Sequence, residues 1–470
     1  MSERLTVWLY GTPVAHLDEP NPFRYRLRFT EAALDEFGEN SRVLSLGLPI
    51  TRTEVRDRDH RTGTNPVGAF LEGLLPEGNL RTQLAAALNV ASFDKMALLR
   101  HVGRECAGAV QFMPEGQAPS RGRVIPLSDS DVADLVADLP TYHLVDSIPQ
   151  ASLAGIQDKV LLARIDDESW GLPVEGAAST HLVKPQPLTG SLPGLVEAEH
   201  WALRVARDGG LNAAHSSLAS FRGRSAVIVE RYDRINDRRV HQEDLCQALG
   251  LPPGDKYERQ GEHRLRNLVR LATPQAADPV EFQHDILAAV VANAVLGNGD
   301  AHSKNYSLLI SPAGAVTLAP LYDVAPVMAL DPKFGSTGHF INNKSRINHL
   351  TVHDFVEEAT TWGMSRAAAE KTVVGTMTNL ADTVRAESPG ATEELHRMIK
   401  DRLEAAWTQR QWPIPQWADN RTSPGTRDAT PAGPTLRLHP PAANAGDVWV
   451  EPHQRRGKQV QGHWRRRPVR

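Results

Sequence analysis

The sequence predicts an α+β protein, with strand and helix mixed up to about residue 330 and mainly helix after it. Three observations carry that prediction. Leu5, Val7 and Leu9 alternate with outward residues, Gly11-Thr12 turns, and Phe23, Tyr25, Leu27 and Phe29 alternate again, the period of two of a small antiparallel sheet. Short apolar runs follow at Val160–Ala163, Leu182–Val183 and Val227–Val229, each too short for a helix. Beyond Asp331 the spacing turns helical, with Val352–Glu358, Ser365–Ala381 and Thr392–Trp407 as the expected helices.

In chain order, Asn65-Pro66 punctuates the sheet region, and Gly68–Leu88 reads as helix interrupted at Pro76-Glu77-Gly78. Met96–His101 reads as a short helix, Pro114–Pro126 as a connector, and Asp131–Ala137 as another short helix. Leu195–Arg207 predicts a longer one. No repeat with a 20–50-residue period is visible.

A chain of 470 residues is too long for one compact core, so two or more domains are expected. Apolar residues at 41% and charged ones at 23% exclude collagen-like, coiled-coil and wholly disordered classes. Cys106 and Cys246 lie outside any C-x-x-C pattern, which argues against a disulfide framework and fits a reducing compartment. The N-terminus lacks an apolar signal-peptide core, and the longest apolar run, Ile286–Leu296, is shorter than the ~18 residues of a membrane span. A cytoplasmic protein without membrane contact is expected. The net charge of −4 is unevenly spread: residues 411–470 carry ten Lys/Arg against four Asp/Glu, net +6, which leaves −10 for residues 1–410. With nine prolines and little periodicity, 411–470 reads as a disordered tail.

The strongest chemical signal lies between Val295 and Val327. Gly297-Asn298-Gly299-Asp300-Ala301-His302-Ser303-Lys304-Asn305 precedes a strand over Tyr306–Ile310, a turn at Pro312-Ala313-Gly314, a second strand, and Leu321-Tyr322-Asp323. Phosphoryl transfer from ATP needs one carboxylate to accept the substrate proton. It also needs an amide oxygen and a second carboxylate to hold Mg²⁺ on the phosphates. Asp300, Asn305 and Asp323 supply that set, with the Asp-to-Asn spacing of a protein-kinase catalytic loop. Singly, Asp and Asn are more often turn or cap residues; the ordered set is what points to chemistry.

Upstream, Ser152-Leu153-Ala154-Gly155-Ile156-Gln157-Asp158-Lys159 reads as a phosphate-cradling loop before a strand, although one glycine is a weak signal. Lys184 ends a short strand where a phosphate-pairing lysine would sit, Glu199 on the next helix is its candidate partner, and Val227–Asp233 occupies the place of a hinge. The 18 histidines show no H-E-x-x-H or similar spacing, so no zinc site is expected.

These segments, with Gln242-Glu243-Asp244, Val7–Gly11, Phe70–Glu77 and Gly103–Ala109, resemble the HipA family, the serine/threonine-kinase toxins of bacterial type II toxin–antitoxin modules. The resemblance covers roughly residues 4–410. It implies a protein-kinase-like two-lobed fold divided as 1–113, an N-terminal subdomain; 114–240, an N-lobe with phosphate loop and hinge; 241–410, a helical C-lobe; and the tail 411–470. It further implies ATP and Mg²⁺ as cofactors and a HipB-like helix-turn-helix antitoxin as partner, with operator DNA reached mainly through it. The implied substrate is a protein, with aminoacyl-tRNA synthetases as family precedent. Residue by residue, Asp300 corresponds to the catalytic base and Asn305 and Asp323 to the metal ligands. Ala154, Gly155, Ile156, Gln157, Asp158 and Lys159 correspond to the phosphate loop, with Lys184 as a phosphate contact. By the same resemblance Glu230, Arg231 and Tyr232 would form the hinge, His302, Ser303, Lys304 and Tyr322 would complete the ATP site, and Ser152 matches the loop serine that the family autophosphorylates. A small-molecule kinase and an inactive antitoxin- or DNA-binding scaffold are the rival readings. The complete Lys184/Asp300/Asn305/Asp323 set argues against the scaffold, and the Ser152 loop with the N-terminal subdomain argues against the small-molecule kinase.

Overall fold

A computed structural model describes residues 4–57, 65–139, 158–166, 169–188, 192–236 and 238–386, together with short strands between 447 and 466. Strands β1 (Arg4–Leu9), β2 (Thr12–Asn21), β3 (Arg24–Phe29), β4 (Val55–Arg56) and β5 (Val110–Pro114) form one antiparallel sheet in the order β4-β3-β2-β1-β5. Pairing Leu5 with Leu17 and Val7 with Phe112 puts the apolar half of each alternation on one buried face. Three helices, Pro66–Gly73, Gly78–Ala87 and Lys95–Val102, follow β4. The first two are separated at the expected break, where Gly78 takes φ +57°.

A second antiparallel sheet contains β6 (Arg123–Leu127), β7 (Val160–Arg164), β8 (Trp170–Val174), β9 (His181–Pro185), β10 (Ser216–Phe221) and β11 (Arg224–Glu230) in the order β10-β11-β9-β7-β8-β6. The expected connector at 114–126 is strand at both ends: Pro114 closes β5, and Arg123–Leu127 is the edge strand beside β8. Pro126 is tolerated there because an edge strand has one side with no ladder to satisfy. Helix Asp129–Asp138 starts on a capping box between Ser128 and Asp131, and helix Leu195–Asp208 packs on β10 and β11.

The C-terminal lobe is built around Pro279–Val295, whose last ten residues are all buried, with Arg264–Ala272, Val352–Thr361 and Arg366–Ala386 around it. The region after Asp331 is less helical than its spacing suggests. Ser336–Ile341 and Lys344–Arg346 form a hairpin whose two turn residues, Asn342 and Asn343, both have positive φ, at 48° and 63°. An Asn-Asn pair accepts that conformation readily and turns the chain before a helix can start. The expected helix Thr392–Trp407 lies outside the described residues. In the tail, Asp447–Val450 pairs with His463–Arg466, and His453–Arg455 with Lys458–Val460, where disorder was expected. Val448, Trp449, Val450 and Trp464 are strong strand formers, which composition alone did not weigh.

One contiguous apolar core runs from the N-terminal sheet (Leu5, Leu17, Phe112) into the C-terminal lobe (Leu268, Ile286, Phe355). The second sheet has its own smaller core around Leu162, Leu172 and Val183. The N-terminal unit is therefore packed as part of the helical lobe, and the cleft between that body and the second sheet holds the candidate site.

Candidate active site

The cleft has a volume of about 530 Å³. Lys159, Lys184 and Glu199 line it from the side of the second sheet, and Asp300, Asn305 and Asp323 from the C-terminal lobe. Gly73 and Glu77 of the N-terminal unit also reach it.

Lys184 is the next-to-last residue of β9, so its side chain leaves the strand at the cleft wall. Its Nζ donates to Glu199 Oε1 at 2.7 Å and to Asp323 Oδ1 at 2.6 Å. Glu199 is 2% exposed on helix Leu195–Asp208, whose buried stripe fixes which face it presents. Burial opposes the charge on Lys184, but Asp323 and Glu199 outweigh it and hold the ammonium above its ordinary range. Burial likewise opposes the Asp323 carboxylate, and Lys184 reverses that effect, holding it below its ordinary value. Asp323 takes φ +55°, a left-handed conformation uncommon for a side-chain-bearing residue and held at a cost typical of functional sites. Lys159 also faces the cleft, with its ammonium pulled down to about 8 by burial and then by Lys184.

The loop carrying Asp300 is shaped by its glycines. Gly297 has φ +74°, and a Cβ on Gly299 would lie 1.7 Å from the Phe334 carbonyl oxygen. Asn298 Nδ2 donates to Asn293 Oδ1 at 2.7 Å and to the Asp323 carbonyl at 3.2 Å, tying the loop to the second carboxylate. Asn305 Nδ2 donates to the Asp300 carbonyl at 3.2 Å, which leaves its Oδ1 as the acceptor end. Burial raises the Asp300 carboxyl above its ordinary value, and the Tyr257 hydroxyl, which donates to Asp300 Oδ1, works against that rise. His302 is buried, which pushes its imidazole down to about 3, so it is neutral. Tyr322 donates to the Lys304 carbonyl at 2.5 Å and lies 5.6 Å from the Tyr232 ring.

Several expected ATP-site residues also make contacts that hold the fold. Ser303 is fully buried, and its N–H donates to the Lys256 carbonyl at 2.9 Å. Lys304 Nζ donates to Asp244 Oδ2 at 2.8 Å and lies 3.6 Å from Glu77. Both anchor the loop. Along the expected hinge, the Glu230 N–H donates to the His215 carbonyl and the Arg231 N–H to the Thr180 carbonyl. The Arg231 guanidinium is taken up in a buried network with Glu105 and Asp233, while Glu230 and Tyr232 line the cleft, the Tyr232 hydroxyl donating to Gln242 Oε1. Ser152 and Ala154–Gln157 lie outside the described residues, and Asp158 lines the cleft. Sequence reasoning assigned no role to Glu77, Asp244, Lys256 or Tyr257. Glu77 and Asp244 lay within motifs already singled out, whereas nothing local marked Tyr257, 43 residues before its partner.

Among the described residues no group of three or more His, Cys, Asp or Glu is placed to hold a metal, and no helix is long and apolar enough to cross a membrane. Residues 5–113 match the HipA N-terminal domain, and residues 151–387 match the HipA-like C-terminal domain. The chain belongs to the HipA family. It is 32% identical over 320 residues to the serine/threonine-protein kinase toxin HipA of Shewanella oneidensis, covering 61% of this chain and 71% of that one. It is 37% identical over 345 residues to Y4mE of Sinorhizobium fredii, named as a candidate kinase, covering 70% and 79%. The solved complex of Shewanella oneidensis HipA with HipB and operator DNA shares the fold, with a TM-score of 0.69 at 24% identity over 87% of this chain and 97% of that chain. The α+β, two-lobed HipA fold expected from the sequence is the fold observed.

Proposed function

We propose that this HipA-family chain is an ATP-dependent serine/threonine protein kinase acting as the toxin of a type II toxin–antitoxin pair. The observation that carries this reading is the convergence of Lys184, Glu199 and Asp323, at 2.6–2.7 Å, in one cleft with Asp300 and Asn305. Lys184, held by Glu199, and Lys159 present positive charge to the nucleotide phosphates. Asn305 Oδ1 and the free oxygen of Asp323 suit a hard cation that keeps most of its ligands from phosphates and water; Mg²⁺ held there would neutralise phosphate charge. Asp300 accepts the proton of the incoming Ser or Thr hydroxyl, its burial keeping it a better base than an exposed aspartate. Glu230–Tyr232 would face the adenine.

The substrate is read as a protein, an aminoacyl-tRNA synthetase by family precedent, whose modification blocks translation. A HipB-like helix-turn-helix antitoxin is read as the partner that carries operator DNA, in line with the complex formed by the structural neighbour. Phosphate on Ser152 would meet Asp300 and Asp323 with like charge and so limit activity. The cytoplasm is the compartment in which such targets reside. The test is intact-mass and peptide mass spectrometry of purified protein with Mg-ATP and bacterial lysate. Wild type is expected to gain phosphate on itself and on a protein target, and Asp300→Asn to bind ATP without transferring phosphate. Transfer by Asp300→Asn at the wild-type rate would overturn the reading.

A further inference from the structure

The carboxylate of Asp300 is met by one side-chain donor among the described residues, the hydroxyl of Tyr257 on Oδ1. Tyr257 does not belong to the loop that carries Asp300. It follows the 3₁₀ turn Pro253–Asp255, and that turn is fastened to the Asp300 loop. The Ser303 N–H donates to the Lys256 carbonyl, and Arg264 Nη1 donates to the Asp255 carbonyl and, at 3.3 Å, to Ser303 Oγ. The ring packs edge-on against His302 with centroids 5.2 Å apart, and Lys256 Nζ stands 5.5 Å from the ring centroid. The phenol is therefore carried as a rigid companion of the loop. At 48% exposure, Tyr257 stands at the cleft mouth, where a protein segment would bring its hydroxyl.

We infer that Tyr257 is the positioning residue for Asp300. Its hydroxyl holds Oδ1 and so turns the other carboxylate oxygen toward the acceptor hydroxyl. The inference rests on the kinase reading above. A carboxylate on a single-bonded side chain rotates freely unless one oxygen is held, and a base must be aligned with the proton it takes for transfer to be fast. Among the described residues the hydrogen bond of the Tyr257 side chain goes to Asp300 and its ring contacts are with His302 and Lys256, not with Lys184, Asn305 or Asp323, so the nucleotide should bind without its hydroxyl.

The experiment compares Tyr257→Phe and Tyr257→Ala with wild type, measuring ATP affinity by calorimetry, thermal stability, and kcat and KM for transfer to a protein acceptor. Tyr257→Phe keeps the ring against His302 and removes only the hydroxyl. It should lower kcat about tenfold, the effect of one hydrogen bond near 1.4 kcal/mol, with ATP affinity and melting temperature unchanged. Tyr257→Ala should lose at least as much. A wild-type kcat for Tyr257→Phe with a loss only for Tyr257→Ala would reduce the residue to packing and overturn the inference. A raised kcat, or phosphate found on Tyr257 itself, would also overturn it, since the phenol would then be a gate or an acceptor. Failure of the kinase reading is separable: it would appear as undiminished transfer by Asp300→Asn, whatever Tyr257→Phe does.

Discussion

Lys184 is a cation with 8% of its side chain exposed, held between Asp323, at the open side, and Glu199, and removing it isolates the Glu199 carboxyl in a place water barely reaches. Lys184→Met should destabilise the fold by about 3 kcal/mol, because Glu199, with its side chain 3% exposed, is left as an unpaired buried carboxyl. Lys184→Met/Glu199→Gln should recover most of that stability while ATP binding stays lost. Chemical denaturation and calorimetry on the two variants check both halves; a double variant no more stable than the single one would show that the pair is not the cause. The identities of Lys184, Glu199, Asp300, Asn305 and Asp323 were legible because strand ends, helix periodicity and a hairpin put them at spacings that chemistry recognises. Arg231 was not legible. Its motif fits a hinge, but its partner Glu105 lies 126 residues away, and a single sequence does not show that a guanidinium will be taken up there.

At the scale of elements, strand His241–Asp244 shows how a polar residue can be built into a core. It pairs with Ser307–Ile310, and its Glu243 is fully buried, accepting the Leu46 N–H at 2.7 Å while its Oε2 has no partner. Burial pushes that carboxyl from its ordinary 4.5 up to about 8, so the folded state keeps the proton at neutral pH. An unfolded chain releases it near its ordinary value, so folding binds the extra proton. The stability this gives is complete below about pH 4.5 and is lost as pH rises towards 8, at about 1.4 kcal/mol per pH unit within that window. Glu243→Gln keeps an acceptor for Leu46 and removes the titration. Wild type should therefore lose melting temperature between pH 5 and 8 faster than Glu243→Gln, and parallel curves would refute the assignment. Elements were legible where one rule dominated, as at the break between Pro66–Gly73 and Gly78–Ala87. They were misread where an edge strand tolerated proline at Pro126, and where Asn342-Asn343 turned a hairpin inside a stretch that reads as helix.

For the whole molecule, the question is what makes an N-terminal unit and a kinase-like body act as one. Part of the answer is the shared apolar core. The rest is a buried charge cluster across their junction. Glu105, from the loop before β5, receives Arg231 at 3.1 Å, Arg234 at 2.9 Å, Arg239, and both the N–H and hydroxyl of Ser179 at 3.0 Å. Asp233 receives Arg231 at 2.7 Å and the Gly108 N–H at 2.7 Å. Burial opposes the Glu105 charge, yet Arg234, Arg231 and Arg239 outweigh it and keep the carboxyl below its ordinary value. Three guanidiniums against two carboxylates tolerate no further loss of negative charge in a medium of low dielectric. Glu105→Gln keeps the volume and removes one carboxylate, so it should cost on the order of 3–5 kcal/mol, the penalty of an uncompensated buried charge. Because Arg231 adjoins Glu230 and Tyr232 at the cleft, the same change should also weaken ATP binding, although Glu105 itself does not line the cleft. Differential scanning calorimetry should show one transition moved down as a unit, since the core is continuous. Two separated transitions, or a lowered melting temperature with ATP affinity unaltered, would mean that the cluster fastens the N-terminal unit without setting the position of the hinge.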